Sequence, residues 1–284
     1  MKRVILALLF LAAAAPSVRA WTIPKGAGGV RPAYQVFMGG VTGSPSNTAT
    51  SYMSPTYMGG TATTAGDFTK FSVAGTLSIL KVRINGTNPT GVTTWTVTVV
   101  KNGVDTALAC TVNSSSSGEC TIATNVSFAA NDGAYVKLVP SGTPPAARIQ
   151  VTSLFSPTTA NDTIMSAFSG STGFSTSATQ AVFVNNSSAP SSTANRRGPI
   201  FPDSGTIDQF YVTSNAPDNG AGTQQYVYTV DKNGSTQTVT CPISEASTSC
   251  NDTTHSFSVS ASNDIMIQAA PSGTPIASIA SFAL

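Results

Sequence analysis

Over much of the chain, apolar and polar residues alternate with a period of two. In Thr94-Trp95-Thr96-Val97-Thr98-Val99 every second residue is large and apolar and its neighbours are Thr. That is the pattern of a half-buried strand made of residues that favour extended backbone. Gln225-Tyr226-Val227-Tyr228-Thr229-Val230 repeats it, with Tyr226, Tyr228 and Val230 where Trp95, Val97 and Val99 stand. Leu80, Val82 and Ile84 likewise match Phe210, Val212 and Ser214, and Val126 and Phe128 match Phe257 and Val259. Turn chemistry separates these runs. Asn102-Gly103 and Asn233-Gly234 suit two-residue hairpins, because a type I′ turn needs positive φ at both central positions. Asn131-Asp132-Gly133 and Asn263-Asp264 mark a second reversal, and Ser-Gly-Thr-Pro a third in each half. Beyond the first residues, no segment of about ten residues combines a 3.6 period with caps, so helices are expected to be few and short. Short strands between Gly, Pro, Asn and Ser predict antiparallel β-sandwiches of about eight strands each.

The two halves are copies. Lys101-Asn102-Gly103 recurs as Lys232-Asn233-Gly234, and Pro140-Ser141-Gly142-Thr143-Pro144 as Pro271-Ser272-Gly273-Thr274-Pro275, both at a shift of 131. Gly75-Thr76-Leu77 matches Gly205-Thr206-Ile207 at 130, and Phe37-Met38-Gly39 matches Phe168-Ser169-Gly170 at 131. Collinear matches from Phe37 to Pro144 define a tandem duplication, the first thing to seek in any sequence. Two units of about 125 residues each have an ordinary domain size. The expected organisation is a leader over 1–20, an N-terminal arm over 21–33, one β-sandwich over 34–155, a linker over 156–162 and a second β-sandwich over 163–284.

The leader has the form of a secretory signal. Lys2 and Arg3 are followed by the apolar run Val4 to Ala15 and the small-residue site Val18-Arg19-Ala20. The run is too short to span a bilayer, which takes about 20 residues, so a secreted, extracellular or cell-surface chain with no membrane insertion after cleavage is expected. Of 14 basic residues the leader holds three, which leaves 11 against 12 acidic ones. Only 9% of the chain is charged, against roughly a quarter in an ordinary soluble domain. Basic nucleic-acid binders and coiled coils need dense charge, so neither class fits.

Export also bears on the four cysteines, Cys110, Cys120, Cys241 and Cys250, which are expected as disulfides. Three pairings are possible. Cys110–Cys120 and Cys241–Cys250 are favoured because each copy then folds with its own local bridge, worth roughly 3 kcal/mol in unfolded-chain entropy. Zinc spacing is absent, and no metal or other cofactor is implied.

The order Gly75-Thr76-Leu77, a strand, Val99 to Gly103, Cys110, Cys120, then Pro140 to Pro144 resembles a repeat module of bacterial secreted and phage appendage proteins. The resemblance covers both units. It implies a jelly-roll similar to the C1q and tumour-necrosis-factor shape, and it carries over no catalytic residue.

Chemistry-bearing residues are sparse. His255 is the only His, and its aligned residue in the first copy is Thr124. Glu119 and Glu245 lie within the cysteine loops, and Asp132, Asp203, Asp218 and Asp264 stand in turn settings where they cap backbone N–H groups. Calcium at the Asn-Asp turns would want more carboxylates than one per copy. Arg196-Arg197 reads as part of a solvated loop. No enzyme is expected. The aromatics Tyr52, Tyr57 and Tyr211 are candidate platforms for stacking a glycan. Trp21, Thr22 and Ile23 in the arm are candidate contacts to a neighbouring subunit. The expectation is a non-enzymatic secreted structural protein, a self-assembling subunit of an extracellular filament or cell-surface layer. An adhesin or carbohydrate-binding module is the alternative.

Overall fold

The computed structural model describes residues 35–284 apart from 42, 57, 60, 64, 66–68, 160, 161, 170, 171, 185–188, 193–203, 215–223, 245 and 246. The leader, the arm with Trp21, Thr22 and Ile23, and Tyr57, Arg196, Arg197, Asp203, Asp218 and Glu245 lie outside the described residues. The described residues contain twenty strands and no helix.

The first copy supplies β1 (Gln35–Val41), β2 (Ser51–Met53), β3 (Met58–Gly59), β4 (Thr69–Lys70), β5 (Gly75–Gly86), β6 (Thr94–Lys101), β7 (Val104–Val112), β8 (Glu119–Phe128), β9 (Gly133–Ser141) and β10 (Ala147–Pro157). One sheet runs β3-β1-β10-β5-β8 and the facing one β2-β9-β6-β7, with β4 pairing to the start of β9. Every pairing is antiparallel except the two-residue contact of β1 with β3. Setting aside the two-residue strands β3 and β4, the remaining eight stand in the order first, eighth, third, sixth in one sheet and second, seventh, fourth, fifth in the other. This interleaving is that of a double-sheet jelly-roll.

The second copy supplies β11 (Ser166–Phe168), β12 (Gln180–Phe183), β13 (Gly205–Ile207), β14 (Phe210–Ser214), β15 (Gln225–Lys232), β16 (Ser235–Ser244), β17 (Ser249–Asp252), β18 (Phe257–Val259), β19 (Ile265–Ser272) and β20 (Ala280–Ala283). Its sheets run β11-β20-β14-β17 and β12-β19-β15-β16, with β13 paired to β18. The order repeats that of the first copy, β13 and β14 together standing for β5, and β17 and β18 for β8. The strand equivalent to β8 is broken because Asp252 bends the chain. Its Oδ1 accepts the N–H groups of Thr254 and His255, each at 3.1 Å, an Asx turn that competes with the ladder. The protein is thus all-β, two tandem jelly-roll sandwiches.

The period-two positions line the interiors. Trp95, Val97 and Val99 are buried in the first core, and Tyr226, Tyr228 and Val230 in the second. Backbone conformation repeats as well. Positive φ occurs at Asn102 and Asn233, at Gly103 and Gly234, at Gly142 and Gly273, and at Thr143 and Thr274.

Each copy has its bridge, Cys110–Cys120 and Cys241–Cys250, with Cα atoms 6.0 and 5.6 Å apart. These bridges are short along the chain but join different sheets. Cys110 lies on β7 and Cys120 on β8, the edge strands of the two sheets on the same side of the sandwich. Cys241 on β16 and Cys250 on β17 do the same. Each bridge therefore closes one open side of its jelly-roll.

Two details differ from the sequence reading. The segment expected to be a linker begins inside β10, where Ser156 and Pro157 pair with Thr76 and Gly75. Also, Phe168 is not the counterpart of Phe37. Val82 pairs with Val151 and Val212 with Phe282, so Val151 and Phe282 are equivalent, and with them their partners Gly39 and Ala167. Phe37 therefore corresponds to Met165, which packs against the second core, while Phe168 faces outward.

Candidate functional site

The Lys-Asn-Gly motif shared by the copies fastens one turn to another. The Asn102 Oδ1 accepts the Gly133 N–H at 2.7 Å while its Nδ2 donates to Asp132 Oδ1 at 2.6 Å. Lys101 Nζ reaches Asp132 Oδ2 at 2.9 Å and the Ser127 carbonyl at 2.8 Å, and stands 5.3 Å from the Phe128 ring centroid. In the second copy Asn233 Oδ1 accepts the Asp264 N–H at 2.8 Å, and Lys232 Nζ donates to the Ser258 carbonyl at 3.0 Å. The positive φ of Asn131 recurs at Ser262, so Asn263 is the counterpart of Asp132, and Asp264 that of Gly133. The equivalence of Asn131-Asp132 with Asn263-Asp264 suggested by the sequence is out by one residue. Asn263 Oδ1 accepts the Ser260 N–H as Asp132 Oδ2 accepts that of Ala129, both at 2.7 Å. Burial disfavours the Asp132 carboxylate, but Lys101, Asn102 and the Ala129 amide outweigh it and hold its pKa below the usual value. Lys101 supplies the positive charge that a calcium ion would bring. Among the described residues no group of three or more His, Cys, Asp or Glu side chains converges as metal ligands.

The remaining ionisable residues are dispersed. Glu119 forms exposed ion pairs with Lys81 (3.3 Å) and Arg83 (3.5 Å) on the outer face of β5 and β8. His255 is mostly exposed, and its Nδ1 lies 3.0 Å from Asp252 Oδ2. Asp252 itself is buried. Burial opposes its charge, yet the amides of Thr240, Thr254 and His255 together with the imidazole hold its carboxyl far below the usual carboxylate range. The pair fixes a strand break, and the Thr254 hydroxyl contacts both partners, 3.1 Å from Asp252 Oδ1 and 3.3 Å from His255 Nδ1.

Of the aromatic candidates, Tyr52 is half-buried and packs edge-on against Tyr135, with centroids 5.5 Å apart. Tyr211 is not an exposed platform. It is 5% exposed and joins the first copy's core cluster although it belongs to the second copy. Its hydroxyl donates to Gln209 Oε1 at 3.2 Å, and burial pushes the phenol pKa up. The sequence reading placed Tyr211 correctly on the face opposite Phe210 and Val212. What it missed is that this outer face is covered.

The cover is the end of the first sandwich. The Thr56 hydroxyl lies 2.6 Å from that of Ser166 on β11 and 2.9 Å from that of Thr69, which meets Ser54 at 3.0 Å. Gly39 makes this end possible, since a Cβ there would stand 2.3 Å from the Ser54 carbonyl oxygen. Ser72 Oγ donates to the Leu284 carbonyl at 2.9 Å. The Gln35 side chain accepts the Ile164 N–H at 2.8 Å and donates to its carbonyl. Ala283 and Tyr211 lie against the first core, and Phe168 packs with Tyr52, Ala62, Val100 and Tyr135. A hint of this was present in the sequence: small Ser166, Ser281 and Ala283 alternate with interior residues where exposed strands more often carry larger polar groups.

The fold and this junction define a tandem jelly-roll protein in which the end of one sandwich is seated on the outer sheet face of the next. No protein-family model matches the chain, and no curated protein matches it.

Proposed function

We propose that the chain is a non-enzymatic structural protein, exported and assembled from identical copies into an extracellular filament or surface layer. The observation that carries this reading is the junction of the two sandwiches. It is heterologous, end against face, and contacts of that kind propagate into open chains of subunits when the rotation does not close. Three further features support it. Two disulfides suit an oxidising compartment, as the leader does. A surface with few charges offers little repulsion between copies. The recurrent polar motifs hold turns together, so their recurrence is accounted for without a reaction. A glycan-binding role is less supported, because Tyr211 is buried at the junction.

The test is direct. Oxidised protein lacking the leader, concentrated and followed by light scattering and negative-stain microscopy, is expected to form ordered fibres or arrays. A strictly monomeric species at high concentration overturns the proposal.

A further inference from the structure

The two Asn-Gly hairpins share one backbone conformation and differ in what holds the Asn side chain. φ is 49° at Asn102 and 53° at Asn233, and 81° at both Gly103 and Gly234. All four residues are exposed, and nothing lies within 4 Å of where a Cβ would stand on either glycine. In the first copy both ends of the carboxamide are tied. Asn102 Oδ1 accepts the Gly133 N–H, and Nδ2 donates to the Asp132 carboxylate at 2.6 Å. In the second copy Asn233 Oδ1 accepts the Asp264 N–H in the same way. Its Nδ2 has no hydrogen-bond partner among the described residues.

The cause is one difference across the turn. Asp132 has two acceptor oxygens, one for Asn102 and one for the Ala129 amide and Lys101. Its counterpart Asn263 has a single side-chain oxygen, and the Ser260 N–H takes it at 2.7 Å. What remains on Asn263 is an NH2 group, a donor that cannot receive Asn233 Nδ2. In an Asn-Gly pair the glycine nitrogen can close on the Asn side-chain carbonyl carbon, because no Cβ obstructs the approach. The carboxamide must first turn out of its hydrogen bonds. Asn102 has two to break, one of them to a charged group, and Asn233 has one. Of the other two Asn-Gly pairs in the chain, Asn85-Gly86 is held in the ladder of β5 with β10, and Asn219-Gly220 lies outside the described residues.

We infer that Asn233 is a self-modification site, which deamidates through a cyclic imide formed with Gly234, and that Asp132 protects Asn102 from the same reaction. The Gly234 nitrogen gives its proton to solvent hydroxide and bonds to Asn233 Cγ. The Cγ–Nδ2 bond breaks, and Nδ2 leaves as ammonia with a proton from water. Water then opens the ring at either carbonyl and leaves aspartate or isoaspartate at position 233. Isoaspartate routes the main chain through the side-chain carbon, and a tight two-residue turn has no room for the added atom. Aspartate brings a further carboxyl group to a hairpin where Asp264 already opposes the charge on Asp231. Either product loosens the tie between the two turns of the second sandwich. The reaction requires only water and does not depend on self-assembly.

Peptide mapping by mass spectrometry tests it, on the full oxidised chain held in mildly alkaline buffer. Product at position 233 is expected to build up about tenfold faster than at position 102, the factor that one more hydrogen bond to a charged group implies. Equal rates, a faster reaction at 102, or no product at 233 in the time a denatured sample reacts at both positions overturns the inference. Exchanging the partners gives an independent reading. Asn263→Asp supplies the missing acceptor and is expected to slow position 233 to about the rate at 102. Asp132→Asn removes the acceptor and is expected to speed position 102 to about the rate at 233. Circular dichroism shows whether each variant keeps the fold. A folded variant whose hairpin reacts at the wild-type rate contradicts the inference, and if neither variant folds the wild-type ratio decides.

Discussion

The Thr56 hydroxyl lies 2.6 Å from the Ser166 hydroxyl, 110 residues farther along the chain. Between them runs the seam of the two sandwiches, and behind Thr56 the hydroxyls of Thr69 and Ser54 continue the chain of donors and acceptors into a buried zone. A Thr56→Val substitution keeps the shape and removes the hydroxyl, so Thr69 and Ser166 each lose a partner away from water. Thr69 keeps its bond to Ser54, so the loss is that of ordinary hydrogen bonds, about 0.5–1.5 kcal/mol each. The denaturant midpoint of Thr56→Val is expected to fall accordingly, with Thr56→Ser close to wild type.

The bridges provide a second test. Each links the edge strand of one sheet to the edge strand of the other, so removing one opens a side of a sandwich as well as lengthening the free unfolded chain. The double variant Cys110→Ala, Cys120→Ala is expected to lose roughly 3 kcal/mol, measured by urea unfolding. Equal stability of oxidised wild type and this variant would exclude that role for the bridge.

Two buried carboxylates in the second copy titrate in opposite senses. The Asp252 pKa is depressed, because the amides of Thr240, Thr254 and His255 and the imidazole favour its charged form more than burial opposes it. A depressed acid contributes stability above its unfolded pKa of about 3.9 and loses it as the pH falls toward the folded value. Wild type is therefore expected to weaken steeply below about pH 4, and Asp252→Asn to be less stable at neutral pH with a flatter acid limb. Chemical unfolding from pH 2 to 7 reads both.

Asp231 behaves in the opposite way. It sits buried at the position of Val100, with Gln268 Nε2 donating to it at 2.6 Å. Burial pushes its pKa up and the neighbouring Asp264 adds to the push, against the amides of Gly234 and Ser235. A raised acid stabilises fully below its unfolded pKa, and that contribution is lost as the pH rises through the folded value. Asp231→Asn keeps an acceptor for Gln268 without the charge. It is expected to be more stable than wild type at pH 7 and equal to it near pH 3.

Much of this architecture can be read along the chain. The inward rows of β6 and β15 follow from strict alternation, and the hairpins at Asn102 and Asn233 from the demand for positive φ. Both disulfide pairs follow from duplication. Where the sequence misleads, the local signal is weak. Phe37 and Phe168 look equivalent because a Phe recurs at nearly the right spacing. Only pairing to the closing strands shows that the second copy turns its Phe outward and puts Met165 at the place of Phe37. The Asn-Asp turns slip by one residue for the same reason, since Asn, Asp, Ser and Gly exchange freely in turns. The junction is the least legible feature. Burial of Tyr211 depends on what lies across the seam, and no period within one strand records that. Asp252, which breaks a strand, sits where an alternating pattern would place an interior residue, and its reason lies in amides from three places.

Electron cryo-microscopy of the assembled material tests the central claim most directly. The account predicts an ordered fibre or array built from identical copies of the chain, each contributing both of its sandwiches. Two-fold related chains meeting face to face, or particles of one chain only, would contradict it.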